Sequence, residues 1–338
     1  MSLSESSQTT VPHHPLSDSH GRRVDYLRLS VIDRCNLRCA YCMPAEGMRF
    51  APRRELLTDD DILFVLQETA EIGFTRLRIT GGEPLLRPGL AQLVARITAE
   101  TPFDAPALTT NGLLLAEQAE ALAAAGLSRV NVSIDSLRPD RYAVITRNGL
   151  IEKVWRGIEA ATAAGLGPIH INTVLLEGFN EDEVEGWLEL ARTNPFTVRF
   201  LELMPVGEGA ELTRHGRFAN LSAMRDRLIE THQLVPCASD GFGPARTWQQ
   251  PGARGSVGFI TPLSHGYCES CTRFRLTAVG ELRACLADDR QVSVREAILG
   301  RDRAALREGF VEAARTKIVG HAWNVDAVTR TGMSELGG

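Results

Sequence analysis

The stretch "DRCNLRCAYCMP" (residues 33–44) holds three cysteines in eight positions, Cys35, Cys39 and Cys42. A closed structural zinc site or an ordinary cubane iron–sulfur cluster wants four protein ligands. Either a fourth ligand lies elsewhere, or one position is left open. Of the seven cysteines in the chain, three more fall together in "CESCTRFRLTAVGELRAC" as Cys268, Cys271 and Cys285. Cys237 stands alone and reads as a small buried hydrophobe. Six ligands do not divide into closed four-coordinate sites. Two sites with one open position each use all six.

The chain around these cysteines is that of a globular protein, with 43% hydrophobic and 23% charged residues among 338. That length suits one large domain or two smaller ones. A net charge of −5 argues against a general nucleic-acid binder, so any polyanionic ligand must be held by a local cluster of arginines. Residues 1–23 are polar, lack the apolar core of a signal peptide and read as a disordered segment. No apolar run approaches the roughly 20 residues that span a bilayer. The expectation is a cytoplasmic protein, in a reducing compartment where clustered cysteines are metal ligands rather than disulfides.

From residue 26 to about 205 the pattern alternates strand and helix. The strands read as "YLRLSVID" (26–33), "RLRIT" (76–80), "ALTT" (107–110), "RVNVSID" (129–135), "IHINTVLL" (169–176) and "TVRFLELM" (197–204). A helix starts after Thr58, an N-cap followed by Asp59, Asp60 and Asp61, and others fall near 88–100, 115–125, 151–164 and 181–193. Repeated βα units predict parallel strands joined by right-handed crossovers. Alternation then sorts the faces. Arg28 and Ser30 share a face, as do Arg78 with Thr80, Asn131 with Ser133 and Asp135, and His170 with Asn172; aliphatic residues fill the other face. Complete eight-stranded barrels fill their interior with branched apolar layers. Six strands with a polar lining instead predict a partial (β/α)6 barrel whose lumen is a binding site. After Pro205 the texture changes to a polar linker "VGEGAELTRHGRF", a helix "SAMRDRLIETH" and a Gly- and Pro-rich region with the strand-like "SVGFI". The expected organisation is a disordered segment (1–23), the partial barrel (24–205), a smaller α+β extension carrying the second cysteine group (206–330) and a tail ending in Gly-Gly (331–338).

The C-x3-C-x2-C spacing, with Tyr41 before the last cysteine and "GGEP" (81–84) directly after the second strand, resembles the radical S-adenosylmethionine (SAM) superfamily. With the second triplet, "LRITGGEPLLR", "TTNG", "NVSIDSL", "NTVLL", "ELMPVGEG" and the terminal "GG", nearly the whole chain resembles the GTP 3′,8-cyclase family. The resemblance implies two [4Fe–4S] clusters, one on Cys35, Cys39 and Cys42 and one on Cys268, Cys271 and Cys285. SAM then chelates the open iron of the first cluster, and its cleavage there yields a 5′-deoxyadenosyl radical. Tyr41, Gly82, Ser133 and Met204 match the family's SAM ligands. Arg28, Arg78, Thr109, Arg273, Phe274 and Arg275 match its GTP ligands, with Arg273 and Arg275 expected at the reacting nucleotide as catalytic residues. Arginine's planar fork suits phosphate. Many members carry Lys where this chain has His170; a polyphosphate nearby would favour a protonated imidazole, and a satisfied structural histidine is the other reading.

The resemblance further implies conversion of GTP to 3′,8-cyclo-7,8-dihydro-GTP, the first step of molybdenum cofactor biosynthesis. It implies an external electron donor, a downstream cyclic pyranopterin monophosphate synthase, a double-glycine tail reaching the active site, and is compatible with a homodimer. It implies no nucleic-acid or membrane partner. Two other readings stay open from sequence: a radical SAM enzyme with an auxiliary cluster acting on a peptide or another nucleotide, and a zinc-stabilised nucleic-acid module.

Overall fold

The computed structural model describes residues 15–239, 243–321, 323 and 328–336. Its strands are β1 (Tyr26–Ser30), β2 (Arg76–Thr80), β3 (Ala107–Thr110), β4 (Arg129–Ser133), β5 (Ile169–Leu175), β6 (Phe196–Glu202), β7 (Val235–Cys237), β8 (Arg246–Gln249), β9 (Ser256–Ile260), β10 (Arg273–Leu276), β11 (Glu281–Arg283) and β12 (Val292–Ser293). All twelve join one sheet in the order β12-β11-β10-β1-β2-β3-β4-β5-β6-β9-β8-β7. β1 to β6 are parallel and adjacent in chain order, as the βα repeats predict. The strands after residue 205 prolong this sheet at both edges, β10 parallel to β1 and β9 parallel to β6.

One face of the sheet is apolar. Leu27, Leu29, Leu77, Ile79, Leu108, Val130, Val132, Ile171 and Val198 join a single core with helical residues such as Ile62, Leu66, Leu93, Leu115, Val154 and Trp187. Each helix thus buries one stripe against the strands. Local signals place the helix ends. The Thr58 side chain accepts from Asp61 N, and the Asp61 carboxylate accepts from Thr58 N at 2.9 Å, a reciprocal cap that starts the helix Asp59–Glu71.

Register sets the other face. Arg275, Arg28 and Arg78 stand side by side on β10, β1 and β2, and Thr109, Asn131, His170 and Thr197 run across β3 to β6. Ser133, Asn172 and Arg199 form a further row. Arg78, Asn131, His170, Thr197 and Arg199 on these rows are all buried. A polar face with no apolar layer on it, yet withdrawn from water, belongs to the interior of a curved partial barrel.

Three stretches differ from the sequence reading. The linker from Val206 contains a helix, Glu208–Arg214, where Gly209 lets the helix approach the chain after the sixth strand: a Cβ there would stand 2.5 Å from Met204 O. A further helix, Pro139–Thr146, fits between the fourth and fifth strands, its Pro at the first turn where no N–H is needed. Residues 15–23 are not disordered. Ser17 bridges Arg23 and Leu16 is buried against the core, while residues 1–14 lie outside the described residues. Among the described residues no helix is long and apolar enough to cross a membrane.

Candidate active site

The first cysteine loop leaves β1 and folds back onto the loop after β2. Gly82 N donates to Ile32 O at 2.8 Å and Glu83 N to Arg34 O at 2.7 Å. Only glycine permits this approach, since a Cβ on Gly82 would lie 2.4 Å from Arg34 O and 2.6 Å from Asp33 O. Buried Glu83 accepts from Thr110 Oγ1, Asn111 N and Leu85 N, which fixes "TTNG" beside the loop. Asn111 Nδ2 points at Cys35 Sγ, 3.9 Å away, and Leu37 N donates to the same sulfur at 3.4 Å. Tyr41 OH donates to Asp135 Oδ2 at 2.7 Å, tying the loop to the end of β4 two residues past Ser133. The Tyr41 ring is therefore a strut. Met204 is brought to the same corner, because the Gly209 position abuts both Met204 O and Tyr41 O.

These thiols are half-buried beside two carboxyl groups, Glu83 and Asp135. Burial, opposed by the Leu37 N–H and reinforced by Glu83, pushes Cys35 up to about 11. Burial and then Asp135 push Cys39 well above its ordinary value, and burial with the neighbouring Cys35 pushes Cys42 up to about 12. Burial also raises Asp135 to about 6 and Glu83 to about 7.

The second triplet is set differently. Burial works to raise Cys271, but Arg273 and Lys317 pull it down to about 7. Burial raises Cys285, whose sulfur accepts from Ala287 N at 3.4 Å. Arg273 lies over the Tyr267 ring at 5.0 Å, and Lys317 Nζ stands 3.6 Å from Cys271 Sγ. In both groups the donors are soft sulfurs that influence one another, with backbone N–H groups aimed at them, the surroundings an iron–sulfur cluster uses. Among the described residues no three His, Cys, Asp or Glu side chains close round a single metal ion.

Beside the second triplet, on β10, β1 and β2, stand guanidiniums. Arg78 Nε donates to Tyr26 OH at 2.6 Å and its Nη1 to Thr109 Oγ1 at 3.3 Å, joining two of the expected substrate residues. Besides burial, what acts on Arg28 is Arg275, Tyr26, Arg78 and Arg273, three of them cations that press its charge down. Burial and then Arg273 lower Arg275 to about 10. Four guanidiniums so gathered make a site for an anion. Across the sheet, Asn131 Oδ1, His170 Nδ1 and Asn172 Oδ1 are buried with no hydrogen-bond partner, an arrangement suited to a polar ligand.

Two expected ligands change role. Phe274 does not join Arg273 and Arg275, because alternate residues of β10 face opposite ways. It is fully buried in the apolar core between Phe74 and Phe310, with ring centroids 6.2 and 6.4 Å away. Among the protein's own groups His170 is held neutral: burial, then Arg199, Arg129 and Arg78, drive it down to about 2. It is a neutral acceptor for Arg199 Nη2 at 3.3 Å. The cation at this end of the face is Arg199, which the sequence reading did not single out although it shares the inward parity of Arg28.

Family models match the chain in two stretches, Radical SAM superfamily over residues 29–191 and Molybdenum Cofactor Synthesis C over residues 196–323. A GTP 3′,8-cyclase of Pelotomaculum thermopropionicum is 45% identical over 96% of this chain and 100% of its own length. One of Petrotoga mobilis is 41% identical, covering 95% of this chain and 99% of its own. The chain belongs to the GTP 3′,8-cyclase family. Among solved structures, Streptococcus suis SuiB bound to S-adenosylmethionine matches with a TM-score of 0.58 at 14% identity, covering 82% of this chain and 65% of SuiB. SuiB bound to the precursor peptide SuiA gives 0.59 at 12%, covering 94% and 77%. At such identity these two share the fold alone. As a radical SAM protein the chain uses a [4Fe–4S] cluster and S-adenosylmethionine.

In this GTP 3′,8-cyclase family member the C-terminal helix Met333–Leu336 joins the two cysteine regions. Arg275 Nη1 donates to Leu336 O at 2.9 Å, the Ser334 N–H reaches Cys42, and Ser334 Oγ donates to Met48 Sδ. The expected tail, Gly337 and Gly338, lies outside the described residues. Sequence reading placed Asp135 on the inward face without giving it a role, and passed over Glu83 and Lys317. The two carboxylates lie inside quoted motifs and were legible as buried polar residues on strand ends; Lys317, at the end of a polar helix, carried no such signal.

Proposed function

We propose that the chain is a GTP 3′,8-cyclase, converting GTP to 3′,8-cyclo-7,8-dihydro-GTP as the first step of molybdenum cofactor biosynthesis. The observation that carries this reading for the site is the gathering of Arg28, Arg78, Arg273 and Arg275 beside the second cysteine group, where a triphosphate would be held. Cys35, Cys39 and Cys42 hold one [4Fe–4S] cluster, and Cys268, Cys271 and Cys285 a second. When bound, SAM and the first cluster supply a 5′-deoxyadenosyl radical.

The chain's own residues orient and enclose. Tyr41, Gly82, Ser133 and Met204 line the SAM side, with Glu83 and Asp135 fixing the loops that carry them. Arg28, Arg78, Thr109, Arg273 and Arg275 fix the nucleotide, and Arg199 with its neutral acceptor His170 adds a cation at the far end of the same face. In the reaction a hydrogen leaves ribose C3′, C3′ bonds to C8 of the base, and one electron and one proton complete the product. Positioning and exclusion of water account for the protein's share. Residues 24–205 would serve SAM and residues 206–330 the second cluster and the nucleotide, with Gly337 and Gly338 entering from the tail. The electron comes from an external donor, the product passes to a cyclic pyranopterin monophosphate synthase, and the setting is the cytoplasm, with a homodimer as the assembly to test.

The test is anaerobic incubation of reconstituted protein with SAM, dithionite and GTP. Cyclised nucleotide formed together with 5′-deoxyadenosine is expected. SAM cleavage that leaves GTP intact would point to another substrate.

A further inference from the structure

Lys317 directly follows the helix Arg303–Thr316 and is only 2% exposed. A buried ammonium is costly unless its three donors are satisfied. Here its partners are the carbonyl oxygen of Ala284, the carbonyl oxygen of Arg273 at 3.0 Å and Cys271 Sγ at 3.6 Å. Its ammonium also lies 5.4 Å from the Phe274 ring centroid. Two carbonyl oxygens and one ligand sulfur thus hold the ammonium beside Cys271. The partners also fall on two different arms of the second cysteine group: Ala284 precedes Cys285, while Cys271 and Arg273 belong to the other arm. The third arm is tied to the same segment. Arg22 donates to Cys268 O at 2.7 Å, to Ile318 O at 2.6 Å and to Val319 O at 3.0 Å.

We infer that Lys317 is a positioning residue that staples two arms of the Cys268, Cys271 and Cys285 site and raises the reduction potential of the cluster held there. The inference rests on the two-cluster reading above. A cluster gains negative charge on reduction, and its potential responds to net charge and to hydrogen bonds on its sulfurs. A fixed cation beside one ligand sulfur therefore favours the reduced form. Lys317 would thus set how readily an external donor delivers an electron to this site.

The experiment uses the full-length reconstituted chain, with and without Cys35, Cys39 and Cys42→Ala so that the two cluster signals separate. Lys317→Gln keeps a donor and removes the charge; Lys317→Arg keeps the charge. Iron and sulfide content, circular dichroism and the midpoint potential of the second cluster by redox titration are read for each. The expected result is that Lys317→Gln retains the second cluster's iron with a midpoint shifted to lower potential, while Lys317→Arg stays close to the unsubstituted chain. An unchanged midpoint in Lys317→Gln overturns the inference. If Lys317→Gln is folded but holds no second cluster, recovery of that cluster in Lys317→Arg supports a role for the charge, and its absence from folded Lys317→Arg overturns it. If the unsubstituted chain holds no iron at Cys268, Cys271 and Cys285, the two-cluster reading fails and takes this inference with it.

Discussion

The two cysteine groups use the same number of thiols in opposite surroundings. Cys35, Cys39 and Cys42 are half-buried beside Glu83 and Asp135, and all three thiols are pushed up. Cys271 lies beside Arg273 and Lys317 and is pulled down to about 7. The first group is held by backbone: the glycine turn of the loop after β2 touches the cysteine loop directly. The second is held by cations, Arg22 and Lys317, whose side chains reach in from distant parts of the chain. A basic second site also continues the row of guanidiniums on β10, β1 and β2. On the function proposed above, the cationic cofactor would take the end beside Glu83 and Asp135, and the anionic substrate the basic end.

The largest expected effect comes from striking the backbone approach. Gly82→Ala should remove the first group's iron and all detectable SAM cleavage, because the added Cβ would lie 2.4 Å from Arg34 O, while iron at the second group persists. Iron counting and 5′-deoxyadenosine assay on the reconstituted variant check this. Normal SAM cleavage would mean that the two loops need no such contact.

At the basic end, Arg273→Ala or Arg275→Ala removes charge-assisted bonds worth roughly 1.5–3 kcal/mol. That is a loss of roughly ten- to one-hundred-and-sixty-fold in kcat/KM for GTP. SAM binding should be unaffected in both. Equal losses for SAM and GTP would erase the separation of the two ends.

A smaller effect is expected of Tyr41→Phe, which deletes the bond to Asp135 at 2.7 Å. The cost should be about 1 kcal/mol of stability in a denaturant titration. Retention of both clusters would identify the ring as a strut rather than a ligand.

The last effect is nil at neutral pH and grows with acidity. His170 binds its proton far less readily folded than unfolded, so below the ordinary value of 6.5 the unfolded chain takes up the extra proton. Its contribution is complete above pH 6.5 and lost as pH falls towards 2, with a limiting slope of about 1.4 kcal/mol per pH unit. His170→Gln should flatten the fall of Tm between pH 6.5 and 4. An unchanged acid limb would show that His170 is not the neutral acceptor of Arg199.

Much of this architecture can be read from alternation. Arg28, Arg78, Asn131 and His170 each interrupt aliphatic strands at the same parity, and register places them on one face. The same rule, applied to "RFRL" and "TVRFLELM", separates Phe274 from its arginine neighbours and adds Arg199 to the face. What alternation cannot give is which strands meet across long sequence separations. That β10 lies beside β1, and β9 beside β6, depends on packing of elements more than fifty residues apart. Lys317 escapes reading for the same reason. Its partners, Cys271, Arg273 and Ala284, become neighbours only once the sheet edge has formed.

The division of labour between the two groups is tested most directly by SAM cleavage and nucleotide product in two full-length variants. One carries Cys35, Cys39 and Cys42→Ala, the other Cys268, Cys271 and Cys285→Ala. The first should form neither 5′-deoxyadenosine nor cyclised nucleotide; the second should still form 5′-deoxyadenosine, uncoupled from GTP, and no cyclised nucleotide. Equal and total loss of SAM cleavage in both variants would contradict the account.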